Sequence, residues 1–153
     1  MPYNIFISYS TKDFHIVESV RHALQNTPCN IFVAEYSVPA GAQLNQSILD
    51  AIKTCDLFIL LWSHNSKSSE WVPQEIGAAK GLGKPILPII LDPSVNLPGF
   101  IRDLKYLPLQ TDSSVAMQWL QQHIFQKVQS KEQTRALVLV GLVVLVLWAL
   151  NQK

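Results

Sequence analysis

At 153 residues the chain is long enough for one domain with a core of its own. Its formal net charge of +1 argues against a nucleic-acid footprint or an acidic interaction tail. Hydrophobic residues make up 48% and charged residues only 15%, and much of this apolar excess lies at the C-terminal end. Cys29 and Cys55 stand far apart, each opening an apolar run. Without a CxxC pair or a His/Cys cluster of zinc spacing, they read as buried free thiols of a cytosolic protein, and no metal site is expected.

The stretch YNIFISYS is a short apolar run ending in small polar residues, the pattern of a buried strand. In STKDFHIVESVRHALQN, Ser10 and Asp13 have the spacing of a helix N-cap and its N3 partner. Phe14, Val17, Val20 (or Arg21) and Leu24 then recur at helical spacing, toward a core. CNIFVAE is a second strand, YSVPAGAQL a loop, and NQSILDAIKTC a second helix with Ile48, Ala51 and Ile52 on one face. DLFILLW is apolar on both faces and so belongs in the middle of a sheet.

After SHNSKSS a helix opens in EWVPQEIGAAKGLG, and Gly81 and Gly83 close it. PILPIIL is a fourth strand in which Pro88 implies a bulge or an edge. DPSVNLPGFIRD is a proline-rich connection and LKYLPL a last short strand. SSVAMQWLQQHIFQKV is an amphipathic helix with Val115, Trp119, Ile124 and Phe125 as its apolar anchors. Strands alternating with helices give an α/β fold, a flavodoxin-like doubly wound five-stranded parallel sheet, followed by a single hydrophobic C-terminal helix.

That last helix is the unbroken apolar run from Ala136 to Leu150. As a helix it is roughly 22 Å long against a hydrocarbon core of about 30 Å. Thr134 and Asn151 extend it, and Arg135 and Lys153 can snorkel. A buried core helix is the alternative. An apolar surface all round, preceded by the polar KVQSKEQTR, points instead to a membrane anchor. The expected division is residues 1–128 as the domain, 129–135 as a polar linker and 136–150 as a transmembrane or membrane-anchoring helix. Lys127, Lys131 and Arg135 precede the run and only Lys153 follows it, which places the domain in the cytoplasm on a single-pass C-terminal anchor.

In a sheet of this kind ligands bind outside the carboxyl ends of the strands. Those ends are SYS, AEYSVPAG and SHNSKSSEW. No GxGxxG or Walker loop is present, and SYS and SHN lack the acids of a phosphoryl-receiving domain. What remains is Ser8, Tyr9 and Ser10 on one side and Trp71 with Glu75 on the other. Serine hydroxyls and open backbone amides suit a phosphate, and Tyr9 and Trp71 offer faces for a base. A lone carboxylate suits cleavage of a glycosidic bond to a cationic base such as the nicotinamide of NAD+, where it stabilises an oxocarbenium-like ribose and no general acid is needed. The structural alternative is that Trp71 packs and Glu75 favours the helix dipole.

NIFISYSTKD resembles the first motif of Toll/interleukin-1 receptor (TIR) domains, and VPAGAQLNQSILDAIKTCDLFILLWS resembles their second segment. SSEWVPQEI is similar to the W-x-x-x-E segment that carries the catalytic glutamate of NAD-cleaving members. The resemblance spans residues 3 to about 127. It implies the TIR fold, Glu75 as the catalytic glutamate, Trp71 as the aromatic one turn before it, and Tyr9 and Ser10 in the nucleotide pocket. Ser10 departs from the basic residue common at its position, and Ala34 from an Asp. Tyr36, Ser37, Val38, Pro39, Ala40 and Gly41 fall in the loop that mediates TIR–TIR contacts.

The resemblance further implies a prokaryotic antiphage sensor-enzyme of the NAD+ glycohydrolase or ADP-ribosyl cyclase type. NAD+ is then the substrate and no cofactor is required. Its partners would be other copies of itself in an oligomer or filament, the membrane, and a separate effector that reads an ADP-ribose or cyclic product, with no nucleic acid. The alternative is a non-catalytic, membrane-tethered TIR adaptor that binds other TIR proteins. A virulence-type TIR protein and a nucleoside-processing transferase of related shape are further rivals.

Overall fold

The computed structural model describes residues 2–34, 45–109 and 113–152. Five strands, β1 (Tyr3–Ser8), β2 (Cys29–Val33), β3 (Leu57–Trp62), β4 (Ile86–Ile90) and β5 (Leu107–Pro108), form one parallel sheet in the order β2-β1-β3-β4-β5. The chain moves from β1 outward to β2 and then reverses through β3 to β5, so the switch point lies between β1 and β3. Among the described residues five α-helices accompany the sheet: α1 (Phe14–Leu24), α2 (Gln46–Thr54), the short α3 (His64–Lys67), α4 (Val72–Gly81) and α5 (Ser113–Leu150). The expected sheet and the long apolar last helix are both present.

Every residue of β3 is buried, as an apolar run between two neighbours must be. Alternation along the strands then sorts side chains onto two cores. Ile5, Ile7, Ile59 and Leu61 face α1 and α5, where Val17, Val20, Leu24, Leu120, Ile124 and Val128 meet them. Phe6, Phe58, Leu60 and Trp62 face α2 and α4, against Ile48, Ile52, Val72, Ile76 and Ala79. Phe6 pairs in register with Phe32 and Phe58, and its ring stacks on each at 5.4 and 5.2 Å, a cross-strand ladder over three strands.

Local chemistry fixes the ends. Asn45 caps α2 by accepting from the Ser47 amide at 3.1 Å. Pro73 sits in the first turn of α4, where its missing N–H costs no helical bond. Gly83, at φ 65°, ends α4 as expected, with Lys84 N bonding back to the Ala79 carbonyl at 2.9 Å. Pro88 pairs with Leu60 of β3, whereas β5 meets β4 only at Ile89 and Ile90. The proline therefore lies along an open side of β4, where a missing donor breaks no ladder bond.

Two helical faces differ from the sequence expectation. Phe14 is half exposed at the start of α1, which leaves Val17, Val20 and Leu24 to fill the core. In α5 the buried positions are Ala116, Leu120, Ile124 and Val128, while Val115, Trp119 and Phe125 are exposed. Four-residue spacing keeps the buried set on one side of the helix. Small Ala116 suits close approach to the sheet layer, and the larger side chains point outward, Trp119 stacking on His123 at 4.7 Å. Of the two thiols, Cys55 is buried and Cys29 partly so; both are free, and burial raises the pKa of each.

α5 does not stop where the domain does. It runs without interruption through residues 129–135 into the apolar segment, and an 18-residue window within it, mean hydropathy 2.1, has none of its surface covered by the rest of the described chain. The helix is long and apolar enough to cross a membrane, and while its first half packs in the core, its apolar second half does not. At the exit, Lys131 Nζ donates to Asp56 Oδ2 at 2.6 Å and to the Pro2 carbonyl at 3.2 Å, and lies 5.7 Å from the centre of the Tyr3 ring. Asp56 Oδ2 also accepts from the Asn4 amide at 2.8 Å. Burial, and then the Asp56 carboxylate, push the Tyr3 phenol from 10.0 up to about 12.

Because that folded-state value is raised, the contribution of a protonated Tyr3 is complete below pH 10 and is lost as pH climbs to about 12. A titration of phenolate absorbance is expected to show one tyrosine ionising together with loss of the native near-UV signal. The two faces of α5 give a second test. Ile124→Ala should destabilise by about 2–5 kcal/mol in urea unfolding, and Phe125→Ala by less than about 0.5 kcal/mol.

Candidate functional site

The carboxyl end of the sheet carries almost all of the buried polar side chains: Ser8, Ser10, Asp13, Ser63, Ser66 and Glu75. Buried hydroxyls and carboxyls persist only when hydrogen-bonded, and these divide between two clusters. In the first, Ser8 Oγ at the end of β1 donates to Glu75 Oε2 from the first turn of α4. Both side chains are fully buried, on the α2/α4 side of the sheet. Glu75 N bonds to the Trp71 carbonyl at 3.0 Å, so Trp71 stands one turn above the carboxyl group.

The second cluster was not expected from the sequence. Asp13, in a 3-10 turn at Thr11–Asp13, does not complete a capping box. Ser10 Oγ accepts from Lys12 N at 3.4 Å, but the Asp13 carboxylate reaches across the sheet end instead. It accepts from Ser63 Oγ at 2.6 Å and from Asn65 Nδ2 at 2.9 Å. Ser66 Oγ donates to the Leu61 carbonyl at 2.8 Å and accepts from Ser63 N at 2.7 Å, which closes the turn after β3. The short α3 is therefore held in place by a carboxylate that comes from the end of β1. The 50-residue separation of Asp13 and Ser63 hides this pairing from any reading of local spacing.

Above these clusters lies a cleft of about 370 Å³ lined by Ser10, Thr11, Lys12, His64, Asn65, Ser68, Ser69 and Trp71. Its size is that of a small-molecule site, and its lining is mostly hydroxyl and amide with one ammonium. Of the sequence candidates, Ser10 and Trp71 line it. Ser8 and Glu75 lie in the buried layer, one helical turn of α4 below Trp71. Tyr9 is packed among the α1/α5 core residues with its ring 6.1 Å from Phe14, and does not line the cleft. The contact loop of Tyr36, Ser37, Val38, Pro39, Ala40 and Gly41 lies outside the described residues, while Ala34 just before it is buried.

Sequence reasoning missed Thr11, Lys12, His64, Asn65, Ser68 and Ser69. His64, Asn65, Ser68 and Ser69 occur in SHNSKSSEW, a stretch expected at the sheet end, and Thr11 and Lys12 just beyond SYS, but nothing in their order says which side chains point inward. At the rim His64 Nε2 lies 3.2 Å from Asp92 Oδ2 and 3.1 Å from Ser94 Oγ. Hydrogen bonds from the Ser94 hydroxyl and amide, with a smaller contribution from His64, hold the Asp92 carboxyl below its ordinary pKa. A larger depression of about 780 Å³ runs between α1 and α5. None of Ser8, Tyr9, Ser10, Trp71 or Glu75 lines it, so size does not mark the site here.

Residues 5–138 match the family described as TIR domain. The chain belongs to the TIR family. The TIR domain of the Toll-related receptor TRR-2 from Hydra magnipapillata has a similar structure, with a TM-score of 0.65 and 20% identity over 83% of this chain and 98% of that one. The CMP N-glycosidase BcmB of Clostridium botulinum matches with a TM-score of 0.55 and 22% identity, over 78% of this chain and 96% of its own. The TIR domains of the activated Roq1 resistosome match with a TM-score of 0.52 and 16% identity, over 81% and 84%. At such identities the likeness is one of fold. None of the curated proteins matches the chain.

In this TIR domain Asp13 ties the 3-10 turn to α3, so its removal should loosen the cleft as a unit. Asp13→Ala strands the Ser63 hydroxyl and Asn65 amide and is expected to cost about 1–3 kcal/mol, read as a lower midpoint in thermal unfolding. Asp13→Asn, which keeps the shape, should cost less.

Proposed function

We propose that the protein is an NAD+-cleaving TIR enzyme held to a membrane by α5 and active in antiviral signalling when its domains assemble. The observation that carries this reading is the placement of Trp71 one helical turn before Glu75: an aromatic side chain lining the cleft, and a carboxyl group bound to the end of β1 at the switch point of the sheet. In the cleft, Lys12 supplies a positive charge for the diphosphate, and Ser10, Ser68, Ser69 and Asn65 supply hydrogen bonds. The bond between ribose C1′ and the nicotinamide nitrogen breaks with its electron pair going to the nicotinamide, which leaves neutral. Glu75 stabilises the positive charge that develops on the ribose. Water then attacks C1′ and loses a proton to give ADP-ribose, or a nucleophile of the adenine attacks and loses its proton to give a cyclic product.

The burial of Glu75 against Ser8 is part of the proposal. A carboxyl group below the cleft floor is a resting arrangement, and contacts between neighbouring domains open it toward the ribose. The long apolar helix supports the membrane part, since tethering in two dimensions raises the local concentration of domains. The similar fold of BcmB, a CMP N-glycosidase, supports the reaction class and makes a mononucleotide the substrate to compare.

The test is to incubate the full chain in liposomes with NAD+ or CMP and follow base release by chromatography and mass spectrometry. Nicotinamide release is expected, and Glu75→Gln should lower it by about 10²–10³-fold, the scale of a lost electrostatic contact to the transition state. Release from CMP alone would move the assignment to a nucleotide N-glycosidase. Absence of cleavage in crowded liposomes, with binding to other TIR domains retained, would make the protein an adaptor.

A further inference from the structure

The course of α5 leads to an inference about which end of the domain meets a membrane. This inference rests on the reading of α5 as the anchor, and is independent of NAD+ cleavage. The strands are parallel and each helix returns the chain, so α1, α2, α4 and α5 all point their C-termini at the amino end of the sheet. α5 leaves the domain there, beside Tyr3 and Asp56, with Val128 its last buried residue. From Lys131 to Ala136 the helix advances about 8 Å. No turn or break intervenes, and Lys131 is tied to Asp56, whose carboxylate also holds the β1 backbone, and to the Pro2 carbonyl.

We infer that the amino-end edge of the sheet rests on an anionic lipid surface, with α5 as a rigid post, and that the cleft opens away from it. The turn joining α4 to β4 lies at the same edge, on the other face of the sheet. Leu82 is an exposed apolar side chain at its tip, in the turn set by Gly83. Lys84 in that turn is committed to the Cys55 carbonyl at 3.0 Å, which fixes the tip against the neighbouring turn before β3. The last turns of α1, α2 and α4 bring Arg21, Lys53 and Lys80 to the same edge. These cations complement the helix dipoles, and at a headgroup layer they also face lipid phosphates. The strands put roughly 20 Å between this edge and the cleft, so soluble nucleotide reaches the site without crossing the headgroups.

The experiment uses the full chain reconstituted in phosphatidylcholine vesicles containing phosphatidylserine. A nitroxide is placed by Leu82→Cys at the edge or by Gln74→Cys near the other end of α4, and the parent chain labelled in parallel reports any background from Cys29. Accessibility to oxygen and to a water-soluble nickel chelate gives the depth of each label. The expected result is loss of chelate accessibility at position 82 and none at 74. Lys131→Gln, which keeps the anchor but releases the clamp, should restore chelate access at 82. Equal aqueous accessibility at 82 and 74 in chains that resist alkaline carbonate extraction would overturn the inference with the anchor intact. Release of the chain by carbonate would remove the anchor itself, and the inference with it. Depth at 82 that is unchanged in Lys131→Gln would overturn the clamp as the orienting contact.

Discussion

A parallel sheet closes only if every connection carries the chain back across its full height, and that constraint gives this molecule two unlike ends. All the turns that follow strands gather at one end, and all the turns that follow helices gather at the other. The first end collects serines, an asparagine, two carboxyl groups and a lysine around a cleft. The second collects helix C-termini and the departing α5. β3, buried along its whole length, holds the two ends at a fixed separation, because it can neither slip in register nor turn over without exposing an apolar face.

The polar end is ordered by two buried carboxyl groups used in different ways. Asp13 joins the end of β1 to the turn after β3 through Ser63 and Asn65, and so spans the switch point of the sheet. Glu75 is bound to Ser8 on the opposite side of the same strand end. One carboxylate thus shapes the cleft while the other is stored beneath it.

The sequence was most informative where burial alone decides. DLFILLW has no polar position to offer solvent, and β3 is central as that demands. The glycine at 83 and the proline at 73 serve the helix ends that backbone geometry assigns them. It was least informative where two apolar stripes compete on one helix. Val115, Trp119 and Phe125 outweigh Ala116 in hydrophobic size, yet close packing on the sheet layer selects Ala116, Leu120, Ile124 and Val128. At the site, Ser10, Trp71 and Glu75 stood out by type and spacing. The cleft beside Ser10 and Trp71 is completed by Lys12, Asn65, Ser68 and Ser69, whose convergence depends on β1 lying beside β3. Asp13 fitted a local capping pattern and was misread for the same reason: its partners are distant in sequence and near only through the sheet.

The uninterrupted course of α5 also limits symmetry. A helix with a hinge would let its domain tip and pair in any relative orientation. Here the post and the domain are one body, tied at Lys131 and continuous through residues 129–135. With α5 as the anchor proposed above, copies sharing a bilayer would stand with their α5 axes parallel, and a rotation axis relating them would run along the membrane normal. Twofold pairs that invert one copy against the other would then leave one tail in water. The arrangements compatible with the proposal are rings or rows related by rotation and translation in the plane, in which every cleft opens to the same side.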